Sequence, residues 1–149
     1  MLCSDKGVSV VILISVKHRL NKPQLVALLA LSMFRPTPER AAGRAAAYMQ
    51  DSSLEAYACQ MNGADAGLIV FRVNEDAAEI LSIATESAFR GLNIGRFMIE
   101  QTIDIFRLNA IEAETDDDAV GFYRRCGFSV HICGEIDGTT RYRCRKVRQ

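Results

Sequence analysis

Residues 79–96 read EILSIATESAFRGLNIGR, and no other stretch restricts the fold as strongly. An apolar, β-favouring run over residues 80–84 predicts a strand. It stops at a short polar turn, after which Arg90-Gly91-Leu92-Asn93-Ile94-Gly95 opens a helical pattern. Strand, glycine-bearing loop and helix in that order suit an anion. The first amide N–H groups of a helix have no intrahelical partner, and the helix dipole adds partial positive charge at the same place. By itself a two-glycine loop is as consistent with a plain connector as with a phosphate site.

The chain has 149 residues, with 18 Lys plus Arg against 18 Asp plus Glu and a formal net charge of zero. That balance supplies no general attraction to nucleic acid or to an anionic membrane, and neither is expected as a partner. The length suits one domain spanning residues 1–149 with a core of its own. Cys3, Cys59, Cys126, Cys133 and Cys144 are odd in number and widely spaced. They lack the paired spacing of a zinc site, so they read as reduced thiols of a cytoplasmic protein and no metal is expected. Residues 8–16 (VSVVILISV) are too few to cross a bilayer and run directly into Lys17, His18 and Arg19. They predict a buried strand instead of a membrane or signal segment. Residues 1–7 carry no interpretable pattern and are expected to be flexible.

After the first strand, Asn21 is placed to cap a helix with Pro23 in its first turn and Leu25, Leu28, Leu29 and Ser32 on one stripe; Pro36 ends it. Thr37-Pro38-Glu39 then starts an alanine-rich helix over residues 38–49. Residues 54–61 and 66–73 flank Asn62-Gly63, a hairpin signal because both residue types accept positive φ. A turn at residues 74–76 leads to a third consecutive strand over residues 77–85. The next helix, residues 94–108, has Met98, Ile99, Thr102, Ile103 and Phe106 on one face and Arg96, Glu100, Asp104 and Arg107 on the other. A short strand at residues 110–115, a helix at 118–126 that starts on an acidic turn and stops at Gly127, and a hairpin of residues 128–136 and 139–147 about Asp137-Gly138 complete the chain. The order β α α β β β α β α β β defines an α/β fold with a mixed sheet.

These residues resemble the GNAT superfamily of N-acetyltransferases. The family's loop, Arg or Gln followed by x-x-Gly-x-Gly or Ala, follows its fourth strand and binds the pyrophosphate of acetyl-coenzyme A; here it matches Arg90-Gly91-Leu92-Asn93-Ile94-Gly95, preceded by Ile83-Ala84-Thr85. Asn93 replaces the first glycine of that pattern. Asparagine is the next best residue for a left-handed backbone, so the turn is expected to survive if φ was the requirement. A second family segment, Asn-x-x-Ala-x-x-x-Tyr-x-x-x-Gly-Phe, is similar to residues 116–128, with Asp116 in place of the asparagine and Ala119, Tyr123, Gly127 and Phe128 matching. The resemblance covers residues 8–147. It implies a mostly antiparallel sheet of about seven strands with about four helices, splayed between the fourth and fifth strands.

The resemblance implies acetyl transfer from acetyl-coenzyme A, as cosubstrate, to a primary amine by direct attack in a ternary complex. It also implies a site shared by two segments. Backbone N–H groups of Ile83, Ala84 and Thr85 would hold the pantetheine arm and the developing oxyanion, for which preorganised donors are worth ~3 kcal/mol each. Residues 90–96, that is Arg90, Gly91, Leu92, Asn93, Ile94, Gly95 and Arg96, with Asp116 and Ala119, would hold the rest of the coenzyme. Tyr123 stands at the position of the general acid, and a phenol of pKa ~10 suits a departing thiolate. Glu79 or Glu86 would take the amine proton, directly or through water, although each also reads as a solvated strand-end charge. Cys126 reads as a core-facing cysteine. Arg141, Arg143 and Arg145 share one face of the last strand and read as a solvated sheet surface. The acceptor, a small-molecule amine or a peptide N-terminus, is expected between the early helices and the last hairpin, and dimerisation is common in the family. A reading from another class is a non-catalytic acyl-coenzyme A binding or sensing module of the same fold.

Overall fold

A computed structural model describes residues 10–149, so the expectations for residues 1–7, for Val8 and for Cys3 lie outside the described residues. Local turn chemistry sets much of the sheet. Asn62 and Gly63 take φ of 53° and 87°, the primed turn their residue types favour. Across it β2 (Leu54–Met61) pairs antiparallel with β3 (Ala64–Asn74). Glu75, at φ 60°, turns the chain into β4 (Ala77–Thr85), which returns antiparallel on β3. Asp137 and Gly138 repeat the primed geometry between β6 (Ser129–Ile136) and β7 (Thr139–Val147). The remaining described strands are β1 (Val11–Ser15) and β5 (Ala110–Thr115), and the seven lie in the order β1-β2-β3-β4-β5-β7-β6.

Among the described residues four helices flank this sheet: α1 (Pro23–Leu31), α2 (Pro38–Gln50), α3 (Ile94–Ile105) and α4 (Val120–Arg125). Three ends differ from expectation. At α1 the cap position is Lys22, without a side-chain bond, and Pro23 alone presets the first turn. Asn21 does not cap it. Helix α3 stops at Ile105 because Arg107 turns left-handed at φ 53°. Helix α4 is a single short stretch because the Asp116 carboxylate accepts the amides of Asp118 (3.0 Å) and Ala119 (3.3 Å) and closes a turn ahead of it. Thr37 caps α2 as expected, accepting the amide of Arg40 at 3.1 Å.

Alternation along β3 divides the core in two. Ile69 and Phe71 pack with Met98, Ile99 and Ile103 of α3 and with Tyr123 of α4. Leu68 and Val70 pack on the other face with Leu25, Leu28 and Leu29 of α1 and Ala45 of α2. The one parallel pair among the described strands, β4 with β5, is in register over just Ala77↔Ala110 to Ile80↔Ala113. Beyond Ile80 the two strands part, and the β5-facing backbone groups of β4 are left without a strand partner.

One irregularity sits at the parting point. The register between β3 and β4 jumps from Phe71↔Ile80 to Val70↔Ser82, so Leu81 is the extra residue of a β-bulge. Ile80 and Ile83 pack on the α3 face, whereas Leu81 packs among the α1 and α2 residues. Ser82 turns the same way as Leu81 and exchanges a 2.9 Å hydrogen bond with the Tyr48 hydroxyl of α2. The bulge therefore reverses the side-chain phase where the sheet opens.

Candidate active site

The opening between β4 and β5 is a cavity of about 800 Å³ reached from both faces of the sheet. On the α3 side its wall is the segment from Phe89 to Arg96 with Ala119, Phe122 and Tyr123 of the α4 region. On the other side lie Leu31 and Ser32 at the end of α1, Leu81 and Ser82 of the bulge, and Glu114 of β5. Ile83, Ala84 and Thr85 run along one edge.

The α3 terminus is built as an open donor site. Asn93 takes the left-handed conformation (φ 60°, ψ 30°) and no side chain caps the helix. The first intrahelical bond runs from the Phe97 amide to the Asn93 carbonyl, 2.9 Å. The amides of Ile94, Gly95 and Arg96 precede it and face the cavity their residues line. Gly95 serves packing: a Cβ there would stand 2.6 Å from Cε1 of Phe122. Only the missing side chain lets α4 approach α3 this closely. Arg96 closes the seam by donating to the Arg125 carbonyl and reaching Glu100 at 3.9 Å.

Because the Asn93 side chain caps nothing, Asn93→Gly removes the cost of a left-handed non-glycine residue, ~1 kcal/mol, without losing a hydrogen bond. We expect a slightly higher melting temperature and coenzyme binding equal to or tighter than the wild type by calorimetry. Clearly weaker binding would make the asparagine side chain itself a ligand.

Tyr123 is 5% exposed and wedged edge-on between Phe122 and Phe128, with ring centroids 5.1 Å away on each side. Among the described residues no side-chain oxygen sealed from solvent lacks a hydrogen-bond partner, and the Tyr123 hydroxyl bonds to no described residue. It therefore opens onto the cavity. Burial pushes its acidity constant well above the usual phenol value, with Cys144 and Cys126 adding to the shift, so it is a neutral donor throughout the physiological range. Cys126 also lines the cavity. Burial raises its thiol despite nearby Arg96, Lys146 and Arg125, which keeps it protonated and poorly nucleophilic.

The structure brings most of the expected residues together, and leaves four outside. Leu92 projects into solvent at 54% exposure. Asp116 spends its carboxylate on the turn before α4. Glu79 lies in the paired part of β4, facing Arg72 at 3.6 Å, and Glu86 accepts the Ala88 amide at 2.6 Å as the cap of a 3-10 turn. Neither glutamate borders the cavity, because Glu79 is drawn to Arg72 of β3 and Glu86 to the turn that follows its own strand. Conversely, Leu31, Ser32, Ser82 and Glu114 border it without any sequence signal. The wall away from α3 is formed by the end of α1 and the bulge, with Tyr48 of α2 behind Ser82, and no residue of the last hairpin lines it. Among the described residues no His, Cys, Asp and Glu side chains gather in threes as a metal site would require, and no helix is long and apolar enough to cross a membrane.

The sheet thus opens between two parallel neighbours, with an uncapped helix end and a buried tyrosine at the gap. The model of the Acetyltransferase (GNAT) family matches residues 23–128, and the chain belongs to that family. No curated protein matches it. Among solved structures it is similar to an acetyltransferase from Thermus thermophilus (16% identity, 93% of this chain and 97% of that one, TM-score 0.73). It is also similar to an IAA acetyltransferase from Bacillus cereus (20% identity, 91% and 97%, TM-score 0.60). A dodecameric spermidine N-acetyltransferase from Vibrio cholerae aligns as well (15% identity, 92% and 93%, TM-score 0.63). At these identities the likeness is one of fold.

Proposed function

We propose that this protein transfers the acetyl group of acetyl-coenzyme A to a primary amine directly, within a ternary complex, with Tyr123 as the acid. The observation that carries this reading is the Tyr123 hydroxyl, neutral, buried and without a described protein partner, opening onto the gap between β4 and β5. The residues present fit the coenzyme. The uncapped α3 amides and the left-handed Asn93 suit its pyrophosphate, and the β5-facing backbone groups of residues 83–85, which pair with β3 on their other side alone, suit the pantetheine amides. When bound, the coenzyme supplies an activated acetyl thioester. The chain's own work is to orient that thioester, to place donors where negative charge develops on the carbonyl oxygen, and to give the departing sulfur a proton from Tyr123.

The acceptor is read as a small-molecule amine or a peptide N-terminus, entering from the α1 side. Free Cys59, Cys126, Cys133 and Cys144 accord with a reducing compartment, and we read the protein as cytoplasmic. Strand β6 ends the sheet order with one open edge, which suits strand addition in a homodimer.

Thiol release from acetyl-coenzyme A in the presence of spermidine, L-lysine, an aminoglycoside or an alanyl peptide tests the proposal. Turnover with at least one amine is expected. Coenzyme binding without turnover of any amine would make the chain a non-catalytic acyl-coenzyme A binding module instead.

A further inference from the structure

The proposed reaction lacks a group to receive the amine proton, since Glu79 and Glu86 are held outside the cavity. Two carboxylates line it: Glu114, and Asp118 at the turn before α4. Strand alternation fixes the side from which Glu114 meets it. On β5, Ile111 and Ala113 belong to the core cluster that contains Tyr123 and Cys126, and on β7 Cys144 belongs to it too, with Tyr142 packed against it. Glu112 and Glu114 alternate with the first pair, and Arg141, Arg143 and Arg145 alternate with the second. These five charged side chains pair with one another on the opposite face of the sheet. Glu114 is also the first β5 residue beyond the last paired position, Ile80↔Ala113. It therefore borders the gap from the α1 side while Tyr123 borders it from the α3 side.

From this juxtaposition we infer that Glu114 is the catalytic base and the anchor for the acceptor amine, held in place by Arg141 and Arg143. The inference rests on the acetyltransferase reading above. Arg141 Nε lies 3.4 Å from Glu114 Oε1 and Arg143 Nη1 3.8 Å from Oε2. The first is a long hydrogen bond and the second an ion pair, on a carboxylate whose side chain is 41% exposed, so they steer it and leave lone pairs free for the amine. Arg143 is shared with Glu112 at 3.2 Å, and His131 of β6 stands opposite Arg143 in register. The other charged residues of the cavity wall, Arg90, Arg96, Asp118 and Arg125, come from the loop and the α3 and α4 segments.

The step balances across the two faces. The neutral amine gives its lone pair to the thioester carbonyl carbon, and the carbonyl π pair moves to oxygen. As the C–N bond forms the nitrogen becomes acidic, and its proton passes to the Glu114 carboxylate. The oxygen pair then re-forms the carbonyl, the C–S bond breaks with its electrons leaving on sulfur, and sulfur takes the Tyr123 proton. The net transfer of one proton from Glu114 back to Tyr123 proceeds through solvent.

Glu114→Gln tests this with whichever of the four amines the wild type acetylates fastest. The side chain is exposed and Arg143 keeps its pairing with Glu112, so the variant should fold. The expected result is a fall in kcat/KM of about 100-fold near neutral pH, narrowing as the pH rises and water or hydroxide takes over the proton. Coenzyme affinity by calorimetry should be unchanged, and Glu114→Asp should recover part of the rate. A rate within about two-fold of wild type, or a loss that does not vary with pH and comes with weakened coenzyme binding, would overturn the role of Glu114 alone. If the wild type acetylates none of the four amines, the acetyltransferase reading falls and takes this inference with it.

Discussion

Tyr123→Phe is expected to lower kcat by about 100-fold or more while leaving coenzyme affinity nearly unchanged. The hydroxyl has no described protein partner, so its loss removes no structural hydrogen bond, and the ring remains wedged between Phe122 and Phe128. Steady-state thiol release alongside calorimetric titration of acetyl-coenzyme A separates the two effects. An unchanged kcat would remove Tyr123 as the acid. The same variant should alter alkaline stability. Burial raises the folded-state acidity constant of Tyr123 above that of the unfolded chain, so the native state keeps this proton when the unfolded state has lost it. Its contribution is present below about pH 10, the unfolded phenol value, and drains away as the pH climbs beyond that. Circular dichroism melts across that alkaline window should show a shallower loss of stability for Tyr123→Phe than for the wild type.

Gly95→Val should be the most damaging single change near the cleft. Its Cβ would lie 2.6 Å and 2.7 Å from Cε1 and Cζ of the Phe122 ring, inside any allowed contact. The ring has little room, because Phe122 is stacked edge-on against Tyr123. Overpacking of this kind costs ~1–3 kcal/mol. For a chain of this size ~2–4 °C of melting temperature is lost per kcal/mol, so a drop of roughly 2–12 °C is expected. Pushing α4 from α3 also splits the cavity wall that the two helices share, so coenzyme binding should weaken by about tenfold or more. Differential scanning calorimetry and a coenzyme titration check both. A variant with wild-type melting temperature would mean that the two helices can slide apart without cost.

Much of the fold was legible because its determinants are local. Asn62-Gly63 and Asp137-Gly138 prefer positive φ wherever they occur, and both formed the expected hairpins. Thr37 capped α2 through an atom three residues from its partner. Where the determinant was a competition between neighbours, the sequence was less informative. Arg107 ended α3 in a conformation that nothing in its residue type favours, and Asp116 capped a turn and thereby shortened α4. The half of the cavity proposed for the coenzyme was legible for the same reason as the hairpins: the loop from Arg90 to Arg96 and the Tyr123 segment are contiguous stretches whose spacing carries their geometry.

The half proposed for the acceptor was not. Ser82 turns toward Tyr48 only because Leu81 is an extra residue opposite β3, and a bulge shifts side-chain phase without leaving a compositional mark. Glu114 reads in the sequence like any exposed strand residue; it borders the cavity because β4 and β5 stop pairing one position before it. Glu79, a strand residue of the same type, lies within the paired stretch and faces Arg72 instead. The sequence by itself determined the element order, the hairpins, the donor loop and the tyrosine, since each is specified by residues close along the chain. Which glutamate faces the gap, and that α1 closes its far side, were decided only in the tertiary structure, where register and strand separation are set by packing between segments far apart in the chain.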